Sequence, residues 1–318
     1  MPRPRWDPTS LPDLRGRTYL VTGANAGVGY FTCEQLARAG ARVIMTGRSP
    51  NRLAAARAAL LRRVPDAVTA ATVDTLLLDT SNLGSVRAAA ASVTSRDRLD
   101  GLLLNAGIVH PPRRRETTGD GHEVILATNV LGHFALAASL LTMLSRSAGP
   151  GQSRIVWTGS ISTSLWRYDP ADHQLAEGYT AWRAYVQSKV MVQALAFEAD
   201  RRLRAADMPV ASLLVHPGYS IGGRTPGIVG VNEPTKRKRF ADNLQAAFTQ
   251  SKEHGAWAPV RALTDPDAAG GDFFGPRFVV RGEPRAAHAT RVTRSAELGA
   301  RVWQVCEEAT GMRWPLPG

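Results

Sequence analysis

The chain has 318 residues, of which 44% are apolar, 21% charged and 7% aromatic, and its formal net charge is +12 at neutral pH. That apolar content can bury a large core, and the length allows one domain or two. Two cysteines, Cys33 and Cys306, exclude a disulfide framework and are expected to serve only in packing; neither they nor the seven histidines, among them His110, His122 and His133, have metal-ligand spacing, so no metal site is expected.

Met1 to Arg15 is polar and proline-bearing with no apolar centre, which predicts neither a signal peptide nor a membrane anchor. No run is seen to approach the roughly 18 apolar residues of a transmembrane helix, so the expected setting is cytoplasmic. Arg17 to Gly23 predicts a short buried strand that runs into a glycine-rich turn, Thr22 to Gly29, and then a helix through Gly40. Strand, turn and helix together suit a phosphate cradle. Gly23 permits the tight turn, Gly27 lets backbone approach a pyrophosphate, and Gly29 lets helix pack close to strand, while Asn25, Ala26 and Val28 complete the candidate cofactor contacts. A purely structural turn is the competing reading.

The next strand, Ala41 to Thr46, ends in Gly47-Arg48-Ser49. Gly47 leaves room and carries no carboxylate, Arg48 suits a ribose 2′-phosphate, and Ser49 offers a hydroxyl, so NADP(H) is expected over NAD(H). A solvated arginine at a strand end is the alternative. Further apolar strands, such as Leu76 to Leu78 and Val210 to Val215, alternate with helical stretches, and no linker divides the chain. The expected fold is therefore α/β: one doubly wound parallel sheet, Rossmann-type, over 1–318, with helices on both faces.

Tyr185 and Lys189 are spaced i, i+4 and share a helix face. Of the 39 basic residues only Lys189, Lys236, Lys238 and Lys252 are lysines. A cation beside a phenol favours the phenolate, so Lys189 is expected to lower the Tyr185 pKa into the range of a proton donor. A coincidental pair on an amphipathic helix is the bland alternative. Tyr179 and Arg183 repeat the spacing without a lysine, and Tyr179 is expected to line the pocket instead.

The basic balance raises nucleic-acid binding as a rival function. Its clusters, Arg113-Arg114-Arg115 and Lys236-Arg237-Lys238-Arg239, carry no interleaved aromatic residues for stacking, so no nucleic acid is expected and the positive field is assigned to drawing in an anionic cofactor.

With these residues in view the chain resembles the short-chain dehydrogenase/reductase family over nearly its whole length. Its glycine motif matches Thr22 to Gly29, its adenine-contacting aspartate Asp79, its Asn-Ala-Gly motif Asn105-Ala106-Gly107, and its helix asparagine Asn129; Ser160, Tyr185 and Lys189 match the catalytic serine, tyrosine and lysine. Pro217 and Gly218 match a cofactor contact. The family often carries a threonine touching the nicotinamide amide where this chain has Gly222, with Ser220 and Thr225 as candidate substitutes. The interval from Ser160 to Tyr185 and the tail from His254 to Gly311 resemble retinol-dehydrogenase-like and WW-domain-oxidoreductase-like members, implying a short C-terminal helical extension.

The resemblance implies an enzyme in which Tyr185 exchanges a proton with a carbonyl or alcohol substrate, Ser160 holds the same oxygen, Lys189 also holds the nicotinamide ribose, and Asn129 anchors a water. A cofactor-binding regulator of the same fold would be expected to lack one or more of Tyr185, Lys189 and Ser160. The pocket is expected between the loop after Gly107, the insert Ile161 to Trp182 and the segment Tyr219 to Gly255, with Trp166, Tyr168, Trp182 and Tyr219 suiting an apolar substrate. A homodimer is expected on the helices around Asn129 to Leu144 and Arg183 to Leu203, where small residues such as Ala135, Ala137 and Ala138 would allow close approach; buried packing within one subunit explains these alanines equally well.

Overall fold

Short apolar runs without alternation become strands covered on both faces: β1 (Thr18–Val21), β4 (Gly101–Leu104) and β6 (Val210–Val215) are buried at every position, and β2 (Arg42–Gly47) and β5 (Ser153–Thr158) at all but one. β3 (Val73–Leu77) alternates between buried and more open positions because it forms an edge. The computed structural model describes residues 6–65, 72–149, 152–164 and 168–317. Among them, β7 (Phe273–Pro276) and β8 (Pro284–Ala286) complete an eight-stranded sheet in the order β3-β2-β1-β4-β5-β6-β7-β8, parallel except for the final β7/β8 pair.

Helices cover both faces. α1 (Gly27–Arg38), α2 (Pro50–Arg63) and α9 (Trp257–Thr264) share one apolar layer with the sheet. On the other face lie α3 (Leu83–Thr94), α5 (Gly132–Ser147), α6 (Ala181–Ala205) and α11 (Ala296–Thr310). Cys33 and Cys306 are buried and free in opposite layers. α4 (Val124–Leu126) passes through a π turn, Ala127–Leu131, into α5. α7 (Lys236–Leu244) and α8 (Lys252–Gly255) belong to the long connection after β6, and α10 (Arg291–Arg294) precedes α11.

Two expectations are corrected here. Val124–Ser147 forms one helical run of 24 residues, long enough to cross a membrane, whose most apolar 18 residues have mean hydropathy 1.8, but 89% of that window is buried inside the fold. Alternating strands and helices had masked it, since its threonine, asparagine and histidine break a strict apolar run. The second concerns the dimer faces. Ala135, Ala137 and Ala138 are buried within the chain's own core, and α10 and α11 pack along α6, so the small residues named for an interface are already covered. The Trp303 ring lies 5.0 Å from Phe134 and 4.8 Å from Trp314, with the Arg202 guanidinium 4.6 Å above it. This aromatic cluster fixes the C-terminal extension to α5 and α6.

Candidate active site and cofactor cradle

Because β1 to β6 run parallel, the residues that follow them emerge at one edge of the sheet: Gly23, Arg48, Asp79, Asn105, Ser160 and Pro217. The strand order reverses between β1 and β4, and ligands of open α/β sheets sit at such a switch point.

Gly23 and Gly27 have φ of +66° and +62°, the left-handed region where a side chain costs most. A Cβ on Gly29 would lie 2.6 Å from both the Asn105 Nδ2 and the Gly23 carbonyl, so this glycine lets α1 sit tight against the turn, as expected. The α1 N-cap, Ala26, supplies no side-chain bond to the first N–H groups, and the first turn holds no acidic residue. Unsatisfied N–H donors at a positive helix end fit a dinucleotide pyrophosphate.

The Asn25 amide, assigned with its oxygen toward α2, accepts from Arg52 Nε at 3.3 Å and Nη2 at 3.2 Å. Arg52 was missed in sequence, although its i, i+4 spacing from Arg48 was legible. A Cβ on Gly47 would lie 2.9 Å from the Asn25 amide, which would have to shift to admit it. Arg48 is exposed, and the Ser49 hydroxyl accepts from Arg52 N at 3.4 Å as the cap of α2, which fixes its oxygen and keeps its proton for a cofactor contact. In Asp79, Oδ1 accepts from Ser81 N at 2.9 Å and Ser81 Oγ at 2.6 Å, fixing the carboxylate at the end of β3.

Thr22 connects the turn to its neighbours. Its hydroxyl oxygen accepts from Asn105 N (2.7 Å) and Ala106 N (2.9 Å), and the Asn105 Nδ2 donates to the Thr22 carbonyl (2.9 Å). His133 Nδ1 lies 3.2 Å from the Asn129 carbonyl, which can only accept, so Nδ1 carries the proton and Nε2 accepts from the Thr22 hydroxyl at 3.0 Å. Burial, with Lys189 nearby, pushes the His133 pKa down to about 3 and keeps the ring neutral. His133 thus joins the cradle to the π turn that carries Asn129, a role its sequence position did not show.

Thr180 caps α6 by accepting from Arg183 N at 3.1 Å, and the first turns of α6 carry Tyr185 to the end of β5. The Ser160 hydroxyl acts on the Tyr185 phenol and favours its ionised form, and Ser160 Oγ accepts from Ser162 N at 3.1 Å and Ser162 Oγ at 2.9 Å. Gln193 Nε2 donates to the Ser160 carbonyl at 2.7 Å and sets the serine's orientation. Lys189 is buried, with Nζ 2.8 Å from the Thr158 carbonyl and 6.0 Å from the Tyr185 ring centre. Burial pulls its pKa down to about 8.

The expected lowering of the Tyr185 pKa by Lys189 is not met. Burial raises the phenol above its ordinary value and the Ser160 hydroxyl draws it partly back, while the ammonium is directed at Thr158. Asn129 is likewise engaged with protein atoms: Nδ2 donates to Ser188 Oγ (2.9 Å) and the Ile108 carbonyl (3.4 Å), and Oδ1 accepts from Ile108 N (2.9 Å). Its side chain therefore fixes the loop after Gly107 to α6. Asn129 lies in the π turn, a local widening that is frequent at functional sites.

On the substrate side, Tyr179 Oη donates to the Pro112 carbonyl at 3.0 Å, tying the insert to the loop after β4. Tyr168 packs against the core, which corrects its placement in the pocket, and Trp166 lies outside the described residues. Trp182 and Tyr219 remain 46% exposed, with the Trp182 ring 6.3 Å from Tyr185. Gly218 has φ +65°, and a Cβ there would lie 2.3 Å from the Val280 carbonyl. Neither candidate substitute for the threonine missing at Gly222 has a free hydroxyl proton: Ser220 donates to the Pro217 carbonyl (2.7 Å) and Thr225 to the Ile221 carbonyl (2.8 Å).

The model of the short chain dehydrogenase family matches residues 17–220, from β1 through the loop after β6. The chain belongs to this family. Among relatives of this short-chain dehydrogenase, the polyprenol dehydrogenase of Mus musculus is 33% identical, covering 96% of this chain and 87% of the relative. A crystal structure of an uncharacterized protein from Mycobacterium paratuberculosis is 31% identical with a TM-score of 0.77, covering 98% of this chain and 99% of that one. The RhlG/NADP active-site complex of Pseudomonas aeruginosa shares the fold at 23% identity and TM-score 0.60, covering 83% and 95%. The family makes the chain an oxidoreductase by descent.

Proposed function

We propose that the chain uses NADP(H) to reduce a carbonyl group, or to oxidise the matching alcohol, on an apolar substrate. The observation that carries this reading is the Ser160 hydroxyl acting on the Tyr185 phenol at the cofactor edge of the sheet, with Lys189 one turn along the same helix. A bound nicotinamide would supply or take the hydride. Burial keeps the Tyr185 phenol protonated at neutral pH, which suits donation to the oxygen of a carbonyl being reduced. Ser160 presents a second hydroxyl to the same oxygen and so orients the carbonyl. Lys189, a compact cation with three donors, keeps two of them for the ribose hydroxyls beyond its bond to the Thr158 carbonyl.

Support for NADP(H) comes from Arg48 and Arg52 at the end of β2, where no carboxylate stands, and from the NADP complex named above. Support for an apolar substrate comes from Phe240, Leu244 and Phe248, exposed by 69%, 75% and 70% on the segment that follows Tyr219. The Tyr219 hydroxyl donates to Gln245 Oε1 at 3.3 Å and links this ridge to the Pro217-Gly218 turn. The name of the mouse relative points the same way.

A panel of retinoid, steroid, quinone, polyprenal and aliphatic aldehyde substrates, followed by NADPH oxidation, tests the reading. Turnover of at least one apolar member is expected. Tight NADPH binding without turnover of any would replace it by a cofactor-binding regulator.

A further inference from the structure

Two glycines at the cradle share one neighbour. A Cβ built on Gly27 would lie 3.6 Å from Lys252 Cδ and 3.9 Å from its Nζ; a Cβ built on Gly222 would lie 3.9 Å from the same Nζ. One ammonium therefore spans the gap between the N-terminus of α1 and the loop after β6. Its backbone is well held. Lys252 N donates to Thr225 Oγ1 at 2.9 Å, Ser251 caps α8 by accepting from His254 N at 3.0 Å, and Gln35 Nε2 donates to the Glu253 carbonyl at 3.1 Å, which ties α8 to α1.

The surroundings give this cation no anionic partner. Asp242 is the acidic group that acts on it, but Asp242 already pairs with Lys238 Nζ at 3.1 Å and accepts from Gly223 N at 2.6 Å. Among the described residues no carboxylate lies within 4.0 Å of Lys252 Nζ. Burial and the neighbouring Lys238 and Arg52 all act against its charge. A partly buried cation among other cations is unfavourable unless an anion completes the site. The uncapped N–H groups of α1 beneath it have the same requirement. Meanwhile position 222 has no side chain to reach a cofactor, and both nearby hydroxyl protons are bonded to backbone.

We infer that Lys252 is a cofactor-binding residue: its ammonium closes the cradle over the dinucleotide's diphosphate, from the side where Gly222 leaves the family's hydroxyl missing. The inference rests on the proposed cofactor reading and extends it to a residue 225 positions from the glycine turn in sequence.

Calorimetric titration of NADPH and NADH into wild type, Lys252→Met and Lys252→Arg tests it. The diphosphate is common to both cofactors, so Lys252→Met is expected to weaken both by about tenfold or more, the scale of one charge-assisted hydrogen bond. It should also flatten the salt dependence of binding, and Lys252→Arg should recover most of the loss. Methionine keeps the length and apolar stem, and an unchanged thermal midpoint checks the fold. Equal or tighter binding by Lys252→Met overturns the inference while leaving the cofactor reading intact. Wild type that binds neither cofactor overturns that reading itself.

Discussion

The Lys189 ammonium lies one helical turn from Tyr185, 6.0 Å from the centre of its ring, yet donates its proton 2.8 Å away to the carbonyl of Thr158. The pair visible in sequence is real in space, but the cation is anchored to β5, and the group that acts on the phenol is Ser160. Positioning by the sheet, and not direct contact between the two side chains, therefore defines this site.

Tyr185→Phe keeps the ring and removes the proposed proton donor. Carbonyl reduction should fall by about 10²–10⁴-fold with NADPH affinity nearly unchanged. Tyr179→Phe loses one bond to the Pro112 carbonyl and should shift substrate KM at most. Steady-state kinetics of both variants decide the matter; loss of activity in Tyr179→Phe alone would place the acid on the wrong tyrosine.

Lys189 gives a pH signature. Its pKa is lowered from 10.5 to about 8 by burial. Below pH 8 both folded and unfolded chains hold this proton and the burial penalty is full; between about 8 and 10.5 the folded chain has released it and the unfolded chain has not, so stability relative to an uncharged variant rises with pH. Lys189→Met should therefore be more stable than wild type at pH 7, with the gain shrinking through that window. Thermal melts of both proteins at pH 7 and pH 9.5 measure it, and a gap that stays constant would refute the assigned cause.

Arg48 ends β2 in an exposed position without a carboxylate beside it. Arg48→Asp should weaken NADPH binding by roughly 1.5–3 kcal/mol, the range for a charge-assisted bond, and leave NADH little changed. Fluorescence titration of both cofactors reads this contrast. Equal affinity of wild type for the two would remove the basis for an NADP(H) preference.

Gly29→Ala would put a methyl group 2.6 Å from the Asn105 Nδ2 and the Gly23 carbonyl. Overpacking of this kind costs about 1–3 kcal/mol, and the displaced α1 should bind NADPH poorly even where the protein folds. Urea unfolding and cofactor titration measure the two effects; a variant with wild-type affinity would show that the turn tolerates a looser helix.

Trp303 joins Phe134 and Trp314 beneath Arg202, clamping the C-terminal helix onto the two long helices of that face. Trp303→Ala should cost about 3–5 kcal/mol. Denaturant midpoints check the stability. If the loss is small, the extension contributes less to the core than its burial implies.

What the sequence determined by itself is local. The strand, glycine turn and helix from Thr18 to Arg38, the Tyr185/Lys189 face and the parallel class of the sheet follow from short-range periodicity and from glycines at backbone angles other residues resist. Tertiary structure alone decided which distant groups meet at the edge. The partner of Lys189 comes from β5, the amide beside Gly47 from the preceding turn, and the cation beside Gly27 from α8. It also decided that the apolar run from Val124 to Ser147 is a core helix, and that Ala135, Ala137 and Ala138 face the chain's own core. Periodicity reports which residues share a face; what that face meets depends on strand order and on how the connections return, and neither leaves a local signal.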